Sequence, residues 1–338
     1  MLIHIADFRG SQFVEEMRSL ARIATPRLHV VTEDPAVADL ILFSAGYPFE
    51  SWYRGLLSSP LIHLYPEKCF LYSDGDMFIP VLPGAYASAK QGFLGNVRAT
   101  GAPYITPVAN PYIRPLRMER QYLFSFIGSS TSWVRKRLFR MDFHREDVLV
   151  EDSTPLYHHW SDDLPGREVR QRRYAEVIAQ SHFALCPRGA GAGSIRMFEA
   201  MNIGVAPVVI SDRWIPPEGP DWTKCSIRVA EKDLLHLPAI LEERRPESAA
   251  MGAAANEEWQ KYFASEKLFN TIVGACESVR RRRRIPERYF HYLRPLIIES
   301  SCIRWKTRQL IRSIVLRSVN GLGLRRLLPP IANPPWHE

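Results

Sequence analysis

The chain has 338 residues, 46% hydrophobic and 24% charged, and 44 Lys and Arg against 36 Asp and Glu leave a formal charge of +8. This is the balance of an ordinary globular protein with room for two lobes of about 120 to 170 residues, each with its own core. It excludes a disordered chain, and with no run of about eighteen uncharged apolar residues it excludes a chain that threads a bilayer.

Residues 1–118 alternate strand-like and helix-like pieces. Leu2 to Ala6 reads as a first strand, Gln12 to Ile23 as a helix, and Leu28 to Thr32 and Asp39 to Phe43 as strands. Phe49 to Leu57 reads as a helix and Cys69 to Tyr72 as a further strand. The short continuous apolar runs are those of a parallel sheet covered on both faces, so the expected class is α/β. Phe78 to Pro115 is rich in Pro and Gly and is expected to wind over the surface beside a cleft, with Ile113-Arg114-Pro115 as linker. Asp74-Gly75-Asp76 follows a strand, which puts its carboxylates at a strand's carboxyl end, where open α/β sheets hold ligands.

A second lobe over 119–265 opens with the strand Tyr122 to Ile127, closing on Gly128-Ser129-Ser130, and a helix Thr131 to Arg140 that carries Arg135 near its start. Asp147 to Glu151 is read as a strand, His158-His159-Trp160 as a loop, and Arg167 to Gln180 as a helix. Two adjacent histidines without a third ligand are no zinc site. The densest unit follows: strand His182 to Cys186, a glycine-rich turn Pro187 to Gly193, helix Ser194 to Ile203 and strand Val205 to Ser211, the size of a βαβ unit. Gly189, Gly191 and Gly193 let the backbone approach a ligand, and the helix behind them presents unpaired N–H groups and the positive end of its dipole, so a phosphate is the expected guest. Ser194 suits the N-cap and Gly204 the stop. Arg196 and Glu199 share one helix face; Arg188 or Arg196 could meet a diphosphate with forked donors, and Glu199 could accept from a ribose diol. Glycine turns and Arg/Glu pairs three apart are also ordinary surface features. There is neither a P-loop GKS/T nor the GxGxxG of a dinucleotide turn.

CPRGAGAGSIRMFEAMNIGVAPVVISDRWIPPEGPDW resembles the signature of the exostosin family, glycosyltransferase family 47. That pattern runs a cysteine or small residue, PRG, a short loop, S-x-R-x-x-E-A, a small-residue turn, P-V and a later D-W. The resemblance is dense over Tyr174 to Trp222 and weaker back to Phe124–Gly128 with Arg135 and forward to about Ala239. It implies a two-lobed GT-B-like fold of two Rossmann-like lobes with an interlobe cleft. It also implies an inverting transferase taking its sugar from a nucleotide-sugar donor, with a UDP-sugar expected, held in the C-terminal lobe. Carried over by position, Arg196 meets the donor diphosphate, Glu199 the ribose and the Gly189 to Ser194 loop the phosphates. Many relatives have basic residues directly after PRG, where this chain has Ala190 and Gly191.

The expected donor-binding set is therefore Gly128, Arg135, Arg188, Gly189, Gly191, Gly193, Ser194, Arg196, Glu199 and Asp212, and the expected acceptor is a glycan or lipid-linked saccharide hydroxyl. Asp74 and Asp76 are the candidates for the base that takes the acceptor proton. Their spacing also matches the metal-holding DxD of other sugar transferases, or a plain Asp-Gly turn. Since GT-B enzymes generally dispense with a metal, neither metal nor other cofactor is expected. Asp212-Arg213-Trp214 and Asp221-Trp222 could grip a sugar or base, or simply pack in the core. Two alternatives stay open: a GDP-fucose-type transferase, and an inactive GT-B lobe pair acting as a membrane-associated assembly partner.

After the strand Ser226 to Val229, helices are read over Lys232 to Glu243, Glu247 to Tyr262 and Leu268 to Val279. Residues 266–338 form closing helices and a basic extension: from Arg280 to Arg326 there are fourteen Lys or Arg and two acids. Over Ile303 to Leu328, Ile311, Ile314, Val315, Val319 and Leu322 recur at helical spacing among Arg304, Lys306, Arg308, Arg312 and Arg317, the composition of a helix lying on an anionic membrane. Without a nucleic-acid fold signature, nucleic acid is not the expected partner. Met1 to Asp7 has no basic n-region and only a short apolar run, so no signal is expected. The five cysteines are odd in number and widely spaced, as for buried thiols in a reducing compartment. Animal relatives in the family are Golgi proteins with an N-terminal anchor. The location expected here is cytoplasmic, with peripheral contact to the inner membrane face.

Overall fold

The computed structural model describes residues 1–8, 12–46, 50–105, 110–156, 166–290, 292–303 and 307. His158-His159-Trp160 and almost all of the amphipathic stretch 303–328 lie outside them. Two parallel sheets organise the described residues. The first contains β1 (Leu2–Ile5), β2 (Val30–Val31), β3 (Leu40–Ala45), β4 (Cys69–Ser73), β5 (Gly84–Tyr86) and β6 (Ala99–Gly101), in the order β2-β1-β3-β4-β5-β6. The second contains β7 (Tyr122–Gly128), β8 (Val148–Asp152), β9 (Ser181–Pro187), β10 (Ala206–Ile210) and β11 (Ile227–Arg228), in the order β11-β10-β9-β7-β8.

Counted from each sheet's own first strand, both follow the doubly wound order 2-1-3-4-5, so each has a switch point where successive crossovers leave in opposite directions: β1/β3 in one sheet and β7/β9 in the other. The central strands are apolar on both faces because helices cover both faces. LILFSA of β3 and CFLYS of β4 are buried throughout. The two Rossmann-like lobes expected of a GT-B-like chain are thus present.

The region 78–115 corrects the sequence reading. Residues 78–105 do not wind over the surface: they supply β5 and β6, and Ile79, Val81 and Leu82 are buried. Three-residue strands made of Gly, Ala, Tyr and Thr carry no periodicity long enough to read. Their place in the sheet comes from pairing with β4, where Leu71 sits opposite Gly84.

The lobes share an apolar cluster. Ile5, Val14, Phe70 and Tyr72 of the first lobe belong to the same core as Met197, Phe198, Met201 and Phe263. Trp214 is buried, packs edge-on against Trp222 at 5.7 Å between ring centroids, and donates from Nε1 to the Ala87 carbonyl at 3.3 Å. Asp221 caps its own short helix by accepting from the Thr223 N–H. Of the two readings of these tryptophans, core packing is the one observed. All five cysteines are buried free thiols.

The chain then returns to its first lobe. The helix Ser265–Arg282 packs on the helix Gln12–Ile23 and on β5 and β6. Beyond it, Phe290, Ile297, Ile298 and Cys302 join the core formed by Ile41, Phe43, Tyr53 and Leu71. Glu287 pins this return: it is fully buried, accepts from Arg98 Nη1 at 2.6 Å and Nη2 at 2.9 Å, and accepts from Arg294 Nη2 at 3.2 Å.

Candidate active site

The switch point of the second sheet lies between Gly128, which ends β7, and Pro187, which ends β9, and the rule for open α/β sheets puts a ligand there. Two arginines converge on it. Arg135 sits in the first turn of the helix Trp133–Leu138, which is capped by Ser132 Oγ accepting from the Arg135 N–H at 3.3 Å. Its guanidinium donates to the Pro187 carbonyl at 3.1 Å and the Ser129 carbonyl at 3.3 Å, clipping the β7 loop to the end of β9.

Arg196 comes from the helix Ile195–Ile203. It is only 8% exposed, lies 4.5 Å from the Phe126 ring centroid and 5.5 Å from that of Tyr174, and donates through Nη2 to the Ile127 carbonyl. Its Nε is buried without a hydrogen-bond partner. Glycine at 128 leaves room for this packing: a Cβ there would lie 2.9 Å from both Arg196 Nη2 and Phe126 Cζ, so one of them would have to shift. One turn on, Glu199 Oε2 accepts from Tyr174 Oη at 2.6 Å. Burial raises the Glu199 carboxyl above the ordinary range, against the lowering effect of the Tyr174 bond and the Arg196 charge.

The facing wall belongs to the first lobe. Asp76 lies deep in the seam with part of its surface open, and its carboxylate accepts from the Gly191 N–H. Burial raises its carboxyl, while the Gly191 bond and the charges of Arg135 and Lys90 pull the other way. The two turns singled out from sequence, DGD and the glycine loop, therefore touch. This changes the role of two glycines. A Cβ on Gly191 would overlap Ser88 Oγ and sit 2.8 Å from Asp76 Oδ1, and one on Gly193 would sit 2.5 Å from the Ala87 carbonyl. Their missing side chains make room for the other lobe. Gly189 is different: a Cβ there would meet Arg135 Nη2 at 3.4 Å, so it faces the arginine side.

The remaining expected residues divide. Asp74 is fully buried and accepts from the Ile105 N–H at 3.3 Å, which with Tyr72 holds the chain at 103–105. Arg188 pairs with Glu231 at 2.8 Å, and exposed Asp212 accepts from the Glu231 N–H at 2.9 Å, so these three form one network on the flank. Ser194 has the extended backbone of an N-cap, yet its hydroxyl makes no cap bond; Gly204 ends the helix at φ 91°, as expected.

Ser194 Oγ joins Ser88, Ser129 and Ser211 Oγ as buried hydroxyls without a hydrogen-bond partner. They stand at the glycine helix, the β7 and β10 ends and the facing lobe. Unsatisfied buried polar atoms are uncommon and costly, and donors of this kind at strand ends and a helix start are ones that a polar ligand could satisfy. Sequence reasoning missed Ser88, Lys90, Tyr174 and Glu231. Only Tyr174 had a usable signal, standing at the edge of the recognised stretch. Among the described residues, no group of three or more His, Cys, Asp or Glu is placed to hold a metal ion.

Residues 85–244, which hold both arginines, the glycine loop and the facing Ser88, match the model of the Exostosin GT47 domain. The resemblance is to the exostosins. The "Exostosin-1 homolog" of Caenorhabditis elegans is 36% identical over a stretch covering 36% of this chain and 35% of that protein. "Exostosin-1" of Drosophila melanogaster is 32% identical over 45% of this chain and 22% of its own length. The chain thus spans about a third or less of these relatives. The crystal structure of TarM aligns over 78% of this chain and 58% of its own, at a TM-score of 0.38 and 8% identity. The exostosin-like region starts at β5 of the first lobe, so it takes in the wall that meets the glycine loop as well as the second sheet. No helix among the described residues is long and apolar enough to cross a membrane.

Proposed function

We propose that the chain is an inverting glycosyltransferase that moves a sugar from a nucleotide-sugar donor, a UDP-sugar, to a hydroxyl of a glycan or lipid-linked saccharide in polysaccharide biosynthesis. One observation carries the reading: Arg135 and Arg196 stand at the β7/β9 switch point, and Asp76 faces them from the other lobe through its bond to the Gly191 N–H. The diphosphate lies against Arg135, Arg196 and the Gly128 and Gly189 backbone, with the buried serine hydroxyls as further partners. Glu199, oriented by Tyr174, accepts from the ribose. As the bond to the anomeric carbon breaks, the nucleotide gains negative charge, which the arginines and the helix N-terminus stabilise without a metal. Arg188 and Asp212 frame the flank through Glu231.

Asp76 is the base that takes the acceptor proton during attack from the opposite face, and Asp74 positions the turn beneath it. The basic C-terminal stretch 303–328 brings the enzyme to an anionic membrane surface on the cytoplasmic side. The test pairs binding with turnover. A thermal-shift series with UDP, GDP and their sugar conjugates is expected to raise the midpoint for uridine compounds. Asp76→Asn should keep that shift while slowing transfer by about 10²- to 10⁴-fold. Because burial raises the Asp76 carboxyl, wild-type turnover should fall as pH drops through a value above the ordinary carboxylate range. No shift with any nucleotide, or an unchanged rate in Asp76→Asn, would overturn the reading.

A further inference from the structure

The segment 285–303 is apolar on two sides. Its inner side is accounted for: Phe290, Ile297, Ile298 and Cys302 are buried in the first lobe's core. The outer side is mixed, with large apolar and aromatic side chains exposed beside Arg288, Glu299 and Ser300, where a helix closing a water-soluble domain would be polar throughout. Tyr292 is 83% exposed, Leu296 63% and Tyr289 59%, and Ile285, Leu293 and Ile303 are about half exposed. Six large apolar or aromatic side chains thus face outward along one continuous segment, more than isolated surface hydrophobes account for.

The charge around this face is mainly basic, with Glu277 beside Arg281 and Glu67 beside Arg283 as acids at its start. Arg281, Arg284 and Arg288 are exposed at its start. The acids within 280–303 are both engaged: Glu287 is buried by Arg98 and Arg294, and Glu299, at the edge of the face, pairs with Arg54. The sequence continues with further Lys and Arg to Arg326 and no acid after Glu299 in that stretch.

We infer that this face is a monotopic membrane-binding surface that seats the first lobe on an anionic lipid bilayer. Leu293, Leu296 and Ile303 enter the acyl boundary, Tyr289 and Tyr292 lie at headgroup level with apolar ring and polar tip, and the arginines meet lipid phosphates. Charge selects this occupant over others. A second copy docked on the same face would bring arginine against arginine, and the basic stretch after 303 laid over it would do the same. A nucleic acid would satisfy the arginines but has no use for the exposed leucines. Anchorage is firm because the buried Arg98–Glu287–Arg294 cluster and the inner apolar side hold the segment to the lobe, so membrane contact and lobe orientation are coupled.

The inference stands apart from the transferase reading, since its test reads no sugar transfer, and it locates apolar insertion before residue 303. The full chain is floated with vesicles of phosphatidylcholine alone and with vesicles that also contain phosphatidylglycerol. Wild type should float with the anionic vesicles only and be released as salt rises. The double variant Leu293→Asp with Leu296→Asp should lower partitioning by about tenfold or more, with an unfolding midpoint close to wild type because Leu293 is 47% and Leu296 63% exposed. Changing Arg304, Lys306, Arg308, Arg312 and Arg317 together to Gln should weaken flotation less than the leucine pair does. Absence of wild-type flotation, equal flotation of the leucine variant, or a dimer in vesicle-free solution that the leucine variant abolishes would each overturn the inference.

Discussion

Two buried arginines, one in each lobe, show how differently a fold can treat the same cation. Arg98 is spent: its Nε and Nη2 donate to the Pro80 and Val81 carbonyls at 3.2 and 3.1 Å, two further donors take both oxygens of Glu287, and its guanidinium lies 4.0 Å from the Phe290 ring centroid. Arg196 has ring faces on two sides and one carbonyl, but no carboxylate in hydrogen-bond range among the described residues, and its Nε is unpartnered. A buried charge is tolerated when its partners are fixed, and Arg98 holds the C-terminal return on the first lobe in that way. Arg196 keeps an unpartnered donor in its cradle, the place where the proposed reading puts the donor diphosphate. The contrast separates a fully paired cation from one that keeps a donor unpaired, without appeal to family.

The widest gap between the two should appear on removing Glu287. Glu287→Ala leaves Arg98 and Arg294 buried together without a carboxylate and should cost about 3 to 5 kcal/mol in denaturant unfolding. A loss under about 1 kcal/mol, the scale of an exposed pair, would mean that the cluster is not sealed.

Arg196→Leu sharpens the comparison from the other side. Since no carboxylate is orphaned, stability should change little, while nucleotide affinity should drop by about 1.5 to 3 kcal/mol, the worth of a charged hydrogen bond. Isothermal titration with UDP reads the affinity and unfolding reads the stability. The reverse pattern would make Arg196 a second Arg98.

The smallest effect is expected at Glu199. Burial raises its carboxyl in the folded state, so the group's contribution to stability is full below the ordinary carboxylate range and is lost as pH rises through the raised value. Glu199→Gln should therefore be slightly more stable than wild type at neutral pH, an advantage that fades in acid, while binding nucleotide more weakly. A variant less stable at neutral pH would show that the Tyr174 bond outweighs the burial term.

Much of this was readable along the chain. The helix Gln12–Ile23 has the expected bounds, and β3, β4, β7 and β9 lie within one or two residues of theirs, because continuous apolar runs bounded by turns leave few choices. The densest motif supplies Arg196, Glu199 and Gly189 to the candidate site. β5 and β6 were not readable, since Gly-Ala-Tyr and Ala-Thr-Gly become strands only beside a sheet edge that already exists. Nor was the return of 265–303 to the first lobe, which rests on one buried carboxylate meeting two arginines, one of them 189 residues earlier in the chain.

Residue order alone settled the class of fold, the glycine loop and the face that Arg196 shares with Glu199, because those depend on periodicity and on spacing within one helix. What Gly191 is for and which aspartate reaches the seam depended on the approach of the two lobes, and the pairing of Arg98 on the return of the chain to its first lobe. Those are distances between segments more than a hundred residues apart, and no local pattern encodes them.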